Sequence, residues 1–410
     1  MSADPRRPGL SLSRRSFLTA AAGGVAAVTL SGCVGRSAAP TDGSSSAAGA
    51  AGGHRALILV EMGGGNDGLS ALVPADGRYR DARPTLAVPE HDLVSLEGTT
   101  EVALHPDLAP LAPLWAGGRL AAVRGIGFSD PNRSHFVSMD RWWRADRGST
   151  APGWLAAWLD SVDADSGPLA GTGVGGRAPQ LSGGRLPPTT LNGTSGFRFK
   201  PATLRDGLVA MSQPAAEVDL VALAQAAMSR SVDAVAQVAS LDISAHDGPL
   251  GPSQPFTAGL TLAAEIVAAA SGPTVVVVSG GGFDTHAGQL AVHKRLYPDL
   301  AAGIAAYFDK ADASGFADRS LLVTTSEFGR RMAENGSGGT DHGAGNTTFM
   351  VGPSVVSGLH GDIDLGQLLD GDVRPTIDPR AVYTACLDWL DADVEAALGQ
   401  RYDDTALLQA

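Results

Sequence analysis

Four short runs of this 410-residue sequence are apolar at consecutive positions rather than alternate ones: "RALILVEM" (55–62), "RLAAVRGIG" (119–127), "TVVVVSG" (274–280) and "SLLVTTSE" (320–327). A strand that is apolar on both faces has to be covered on both, as a strand inside a parallel sheet between helices is. "TTFMVG" (347–352) reads as a fifth buried parallel strand. Helical patterns lie between them, over 107–118, 217–240, 256–271 and 289–315. Strands alternating with helices predict an α/β fold, a three-layer α/β/α sandwich with a mostly parallel central sheet. The Gly/Pro-rich stretch 165–215 shows no long period. It is expected to be an insertion with short strands inside a single domain spanning 54–410.

Ligands of open parallel sheets bind beyond the carboxyl ends of the strands. The residues that follow each run therefore carry the functional information. "GGGNDGLS" (63–70) opens a tight turn and delivers Asp67. A G-x-G-x-x-G pattern can be traced through Gly63, Gly65 and Gly68, but a run of glycines satisfies many patterns. "FSDPNRSHFVSMDRWW" (128–143) places Arg133, Ser134 and His135 at the start of a helix. Ser134 there either caps the helix or serves as a nucleophile beside the helix amides, with Arg133 as an oxyanion partner. "GGGFDTHAGQ" (280–289) holds Asp284 and His286, which share one side of an extended segment. A carboxylate with an imidazole suits a divalent ion such as Zn, Mn or Fe. "SEFGRRMAENGSGGTDHGAGN" (326–346) ends its strand at Glu327, then presents Arg330, Arg331 and, among small residues, Asp341 and His342. The carboxyl edge thus gathers Asp67, Asp284, His286, Glu327, Asp341 and His342, which is read as a metal or anion site, with ordinary helix capping and loop solvation as the competing account.

The first fifty residues have a different character. Arg14 and Arg15 precede an uncharged stretch from Ser16 to Gly32 whose apolar part is too short for a comfortable membrane span. The pattern resembles a twin-arginine export signal, and "LSGC" ending at Cys33 resembles a lipoprotein box. Residues 1–32 are expected to be a signal peptide, Cys33 the acylated residue, and 33–53 an Ala/Gly/Ser tether to the membrane. The expected partners are the twin-arginine export machinery and the membrane, through that anchor, with an extracytoplasmic location. The second cysteine, Cys386, sits in a helix-like run and reads as a buried hydrophobe.

The formal charge of −13, with no Lys/Arg-rich run, argues against a nucleic-acid partner.

Together, "ILVEMGGGNDGLSALVP", "HPDLAPLAPLWAGGRLAAVRGIG", "NRSHFVSMDRWW", "GGFDTHAGQ" and "SEFGRRMAENGSGGTDHGAGNTTFMVGP" resemble the bacterial domain-of-unknown-function family fifteen-oh-one, which is similar to the alkaline phosphatase and sulfatase superfamily. The resemblance implies an alkaline-phosphatase-like domain, a divalent metal site at the sheet's carboxyl edge and a hydrolase of phosphate or sulfate esters. Ser134 would be the nucleophile, Asp67 the acidic ligand after the first strand, Asp284 and His286 ligands of one metal, and His342 the last histidine ligand. Glu327 falls where that superfamily carries an Asp-His pair, but the second position here is Phe328. Asp341 is either a further ligand or the group that orients His342. The competing reading is a non-catalytic surface lipoprotein that binds a polysaccharide or protein partner on the same scaffold.

Overall fold

The computed structural model describes residues 53–162, 166–192, 203–212, 219–241, 255–403 and 406–409. Arg14, Arg15, Cys33, the expected signal and all but the last residue of the tether lie outside them. Among the described residues thirteen strands run in chain order: β1 (Ala56–Gly63), β2 (Leu72–Pro74), β3 (Val94–Ser95), β4 (Val102–Leu104), β5 (Leu120–Ile126), β6 (Gly171–Val174), β7 (Thr189–Leu191), β8 (Thr274–Gly281), β9 (Ser320–Thr325), β10 (Arg330–Glu334), β11 (Thr340–His342), β12 (Asn346–Val351) and β13 (Gly358–His360).

Eight of these strands form the central sheet, in the order β13-β5-β12-β9-β1-β8-β6-β7. Strand β1 sits between β8 and β9 and is parallel to both. Alternate side chains of β1 enter opposite cores, as the two-residue period of a strand requires. Ile58 and Val60 pack with residues of the helices Pro255–Ala268 and Gln289–Ser314, among them Leu260, Ile266, Leu296 and Ile304. Leu57 and Leu59 pack with residues of the helices His135–Arg144 and Pro379–Trp389, among them Trp142, Val382 and Tyr383. Helices thus cover both faces, which explains why the β1 sequence does not alternate. Each large apolar side chain buried this way contributes about 1.5–3 kcal/mol.

The sequence expectation fails at "TTFMVG". Strand β12 is buried as expected, but it runs antiparallel to both neighbours, β5 and β9. The connection explains the difference. After β9 the chain forms the antiparallel hairpin β10–β11 and enters β12 at Asn346, four residues past His342, with no helix between β9 and β12. A parallel return needs a crossover to the far end of the sheet, usually a helix. An apolar run carries no signal of its own direction.

Candidate metal centre at the carboxyl edge

The segments after β1, β5, β8 and β9 meet at one edge of the sheet, with the β10–β11 hairpin folded over them. Two glycines permit the close approach. Gly64 has φ +118°, and a Cβ on it would lie 2.4 Å from the Asp284 amide nitrogen. A Cβ on Gly339 would lie 2.3 Å from the Thr285 carbonyl oxygen and 2.4 Å from the His286 carbonyl carbon. The small residues of "GSGGTDHGAGN" let the hairpin rest against the Asp284–His286 segment.

Three histidines converge there, each anchored through Nδ1. His135, the first residue of the helix His135–Arg144, has Nδ1 2.8 Å from Glu327 Oε1. His286 Nδ1 is 3.0 Å from Asp341 Oδ1, and His342 Nδ1 is 2.7 Å from the Arg133 carbonyl oxygen. An acceptor at Nδ1 fixes the proton on that nitrogen and leaves the Nε2 lone pair free. All three Nε2 atoms face one carboxylate. His286 Nε2 and His342 Nε2 are each 3.2 Å from Asp284 Oδ1, and His135 Nε2 is 3.5 Å from Asp284 Oδ2. The His286 and His342 Nε2 atoms are 2.9 Å apart. His135 Nε2 is buried with no hydrogen-bond partner among the described residues.

Converging lone pairs and a carboxylate repel one another unless a proton or a cation lies between them. The spacing suits a cation, because ligand atoms about 2.1 Å from one tetrahedral ion sit about 3.4 Å apart. His135, Asp284 and His342 bring their ligand atoms within 4.8 Å of one another, a grouping that can hold a metal ion. Imidazoles with one carboxylate match Zn, Mn or Fe rather than Ca or Mg.

Electrostatics keep the set ready to bind. Burial works against ionisation of Asp284, but the Arg330 guanidinium hydrogen-bonded to it outweighs that cost and holds its pKa at about 2. Burial lowers the pKa of His342, which favours the neutral ring. Phe328 closes one side, with its ring centroid 4.9 Å from that of His135 and 4.6 Å from that of His342.

Glu327 stands one shell back from these ligand atoms. It is almost fully buried, and its Oε1 accepts from His135 Nδ1 and from the Gly64 amide at 2.9 Å. Asp341 likewise meets His286 at Nδ1 and is steadied by Asn335 Nδ2 at 3.1 Å. A carboxylate behind a ligating imidazole fixes its tautomer and orientation.

Asp67 is not brought to the cluster. Its fully buried carboxylate is held by Arg83 at 2.6 and 3.1 Å, by Ser70 Oγ at 2.9 Å and by Gln289 Nε2 at 2.6 Å. Burial opposes its ionisation, but Arg83 prevails and sets the pKa at about 2. Those contacts occupy both oxygens, so Asp67 anchors the turn after β1.

Ser134 is exposed at the helix start and makes no capping hydrogen bond. Its two neighbours both reach the cluster, Arg133 through its carbonyl and His135 through its ring. Cys386 is buried and free, and burial raises its thiol pKa.

Two residues of this edge went unselected in the sequence. His135 was visible beside Ser134, and its position at a helix start after a strand was the available signal. Asp372 had none, because it follows no central strand. Its fully buried carboxylate binds Arg133 at 2.5 and 3.0 Å and Arg331 at 3.2 Å.

The chain matches, over residues 131–400, the family described as a protein of unknown function, DUF1501. It belongs to that family. The matched span of this DUF1501 protein begins just before Arg133 and contains every member of the histidine cluster. No curated protein matches the sequence. Among solved structures it is similar to a protein in the alkaline phosphatase superfamily from Vibrio parahaemolyticus (10% identity, 86% of this chain and 70% of that one, TM-score 0.42). It is also similar to a phosphonate monoester hydrolase from Silicibacter pomeroyi (11% identity, 88% and 77%, TM-score 0.41). A third is the soluble domain of lipooligosaccharide phosphoethanolamine transferase A from Neisseria meningitidis (12% identity, 86% and 95%, TM-score 0.38).

Proposed function

We propose that this DUF1501 protein is exported, lipid-anchored and a metal-dependent hydrolase of phosphate or sulfate esters. The observation that carries the reading is the convergence of three Nδ1-anchored imidazoles on Asp284. His135, His286, His342 and Asp284 would hold the metal, with Glu327 and Asp341 orienting two of the rings. A metal bound there supplies a Lewis acid and lowers the pKa of a coordinated hydroxyl or water. Ser134 is the candidate nucleophile. It starts a helix whose first-turn amides carry no capping side chain, so they favour negative charge beside it.

The sequence of residues 12–53 supports twin-arginine export and acylation at Cys33. Cys33→Ser would then leave the protein in the soluble fraction, and membrane retention of that variant would refute the anchor.

A second reading is favoured by Phe328 and Arg330. Phe328 occupies the position at which the resemblance calls for a second histidine, and the Arg330 guanidinium, fully buried, lies 2.8 Å from Asp284 Oδ1. A fixed cation at that oxygen leaves no room for a second metal on it. On this reading the protein is a surface lipoprotein that binds a polysaccharide or protein partner without turnover. A panel of phosphate and sulfate esters separates the two. Metal-dependent turnover that Ser134→Ala abolishes supports the hydrolase, and no turnover by metal-loaded protein supports the binding role.

A further inference from the structure

The histidine cluster provides for a cation, but a phosphate or sulfate ester also brings anionic oxygens that need donors. Three arginines stand near the cluster. Arg330 is excluded by its own contacts. Its Nε donates to the Gly65 carbonyl, Nη1 to Thr340, and Nη2 to the Gly64 and Phe283 carbonyls and to Asp284, and its side chain is fully buried.

Arg133 and Arg331 are different. Their side chains are 43% and 37% exposed, so both guanidiniums reach solvent. They come from segments 198 positions apart in the chain yet meet on one carboxylate, that of Asp372, whose side chain has no solvent exposure. Arg133 spends Nε and Nη2 on Asp372 Oδ2. Arg331 spends Nε on Asp372 Oδ1 and Nη2 on the Asp370 carbonyl at 2.7 Å. Neither Nη1 has a hydrogen-bond acceptor among the described residues. Two guanidiniums share the one Asp372 carboxylate, with the Asp341 carboxylate also within electrostatic range of Arg331. The backbones of Arg133 and Arg331 adjoin the cluster, since the Arg133 carbonyl holds His342 and Arg331 follows Arg330 in β10.

We infer that Arg133 and Arg331 form an oxyanion subsite for a tetrahedral phosphoryl or sulfuryl group, with Asp372 as the positioning residue that holds both guanidiniums in place. A buried carboxylate that touches no substrate is the means by which two long, flexible side chains lose their rotamer freedom before binding rather than during it. The assignment rests on the hydrolase reading for the identity of the substrate, but not for its test.

The test is titration calorimetry of metal-free and metal-loaded protein with inorganic phosphate and, separately, inorganic sulfate. The expected result is one anion per chain, bound by the metal-free protein as well. Arg331→Met and Arg133→Met should each weaken it by about tenfold or more, the usual cost of losing a charge-assisted hydrogen-bond pair. Asp372→Asn should weaken it comparably although both arginines remain, and Asp372→Glu should restore part of the affinity. The tighter-binding anion distinguishes phosphate esters from sulfate esters. Should Asp372→Asn fail to fold, the half-exposed Arg331→Met still decides the matter. No binding of either anion, or binding unchanged in Arg331→Met, overturns the subsite. Failure of the hydrolase reading shows itself separately, as absent metal or absent turnover with anion binding intact.

Discussion

Glu327 Oε1 lies 2.8 Å from His135 Nδ1 and 2.9 Å from the Gly64 amide, so one buried carboxylate ties β9, the turn after β1 and the helix carrying His135 into a single unit. If Glu327 serves to orient a ligand, Glu327→Gln should lower metal affinity about 10–100-fold, the usual effect of losing such a partner. A chelator competition titration measures this. Unchanged affinity would show that His135 needs no orienting carboxylate.

The salt bridge of Asp67 with Arg83 makes a different prediction, because it lies outside the cluster. Removing one partner of a fully buried pair strands the other charge and costs about 3–5 kcal/mol. Arg83→Met should therefore lower stability sharply in urea unfolding, while the folded fraction keeps its full metal content. Loss of metal without loss of stability would return Asp67 to the ligand set.

The glycines of 336–346 are not equivalent. Gly339→Ala would force a Cβ within 2.4 Å of the 285–286 backbone, whereas a Cβ on Gly336 meets nothing within 4 Å. The first should push the hairpin away and separate His342 from His286, with loss of metal binding. The second should leave metal binding and stability unchanged. Equal behaviour of the two variants would mean that the close approach is dispensable.

Acid should weaken the fold before it protonates Asp67 or Asp284. Burial lowers the pKa of His293 to about 3, so the folded protein excludes a proton that the unfolded chain takes up near pH 6.5. The folded pKa is the depressed one. The stabilisation is therefore complete above pH 6.5 and is lost as pH falls toward 3. The slope of stability on pH gives about 2 kcal/mol lost between pH 6.5 and 5 for one such group. Asp67, with a pKa of about 2, adds loss only below its ordinary value of 3.8. Urea unfolding between pH 8 and 4.5 should show this decline in the wild type and a shallower one in His293→Gln. Parallel curves would rule out His293 as its source.

Much of the fold was legible because burial on both faces leaves a direct mark. The runs around Leu57–Val60 and Val275–Val278 read as covered strands, and they are buried along β1 and β8. The direction of β12 left no such mark, since it is set by a connection that stays at one edge of the sheet. The candidate site was legible where glycine turns deliver acidic or histidine residues. The separation of Asp284 from Asp67 was not, because both follow such turns. Their fates differ through Arg83, which sits sixteen residues beyond Asp67 in no recognisable motif. Asp372 was hidden for the same reason, its meaning arising only from two arginines distant in the chain.

The central claim is that His135, His286, His342 and Asp284 hold one metal ion. Elemental analysis of the protein purified without added metal, alongside His342→Ala, tests it most directly. One Zn, Mn or Fe per chain is expected in the wild type, with loss of that metal in the variant. Substoichiometric metal in the wild type, or a content indifferent to the substitution, would contradict it.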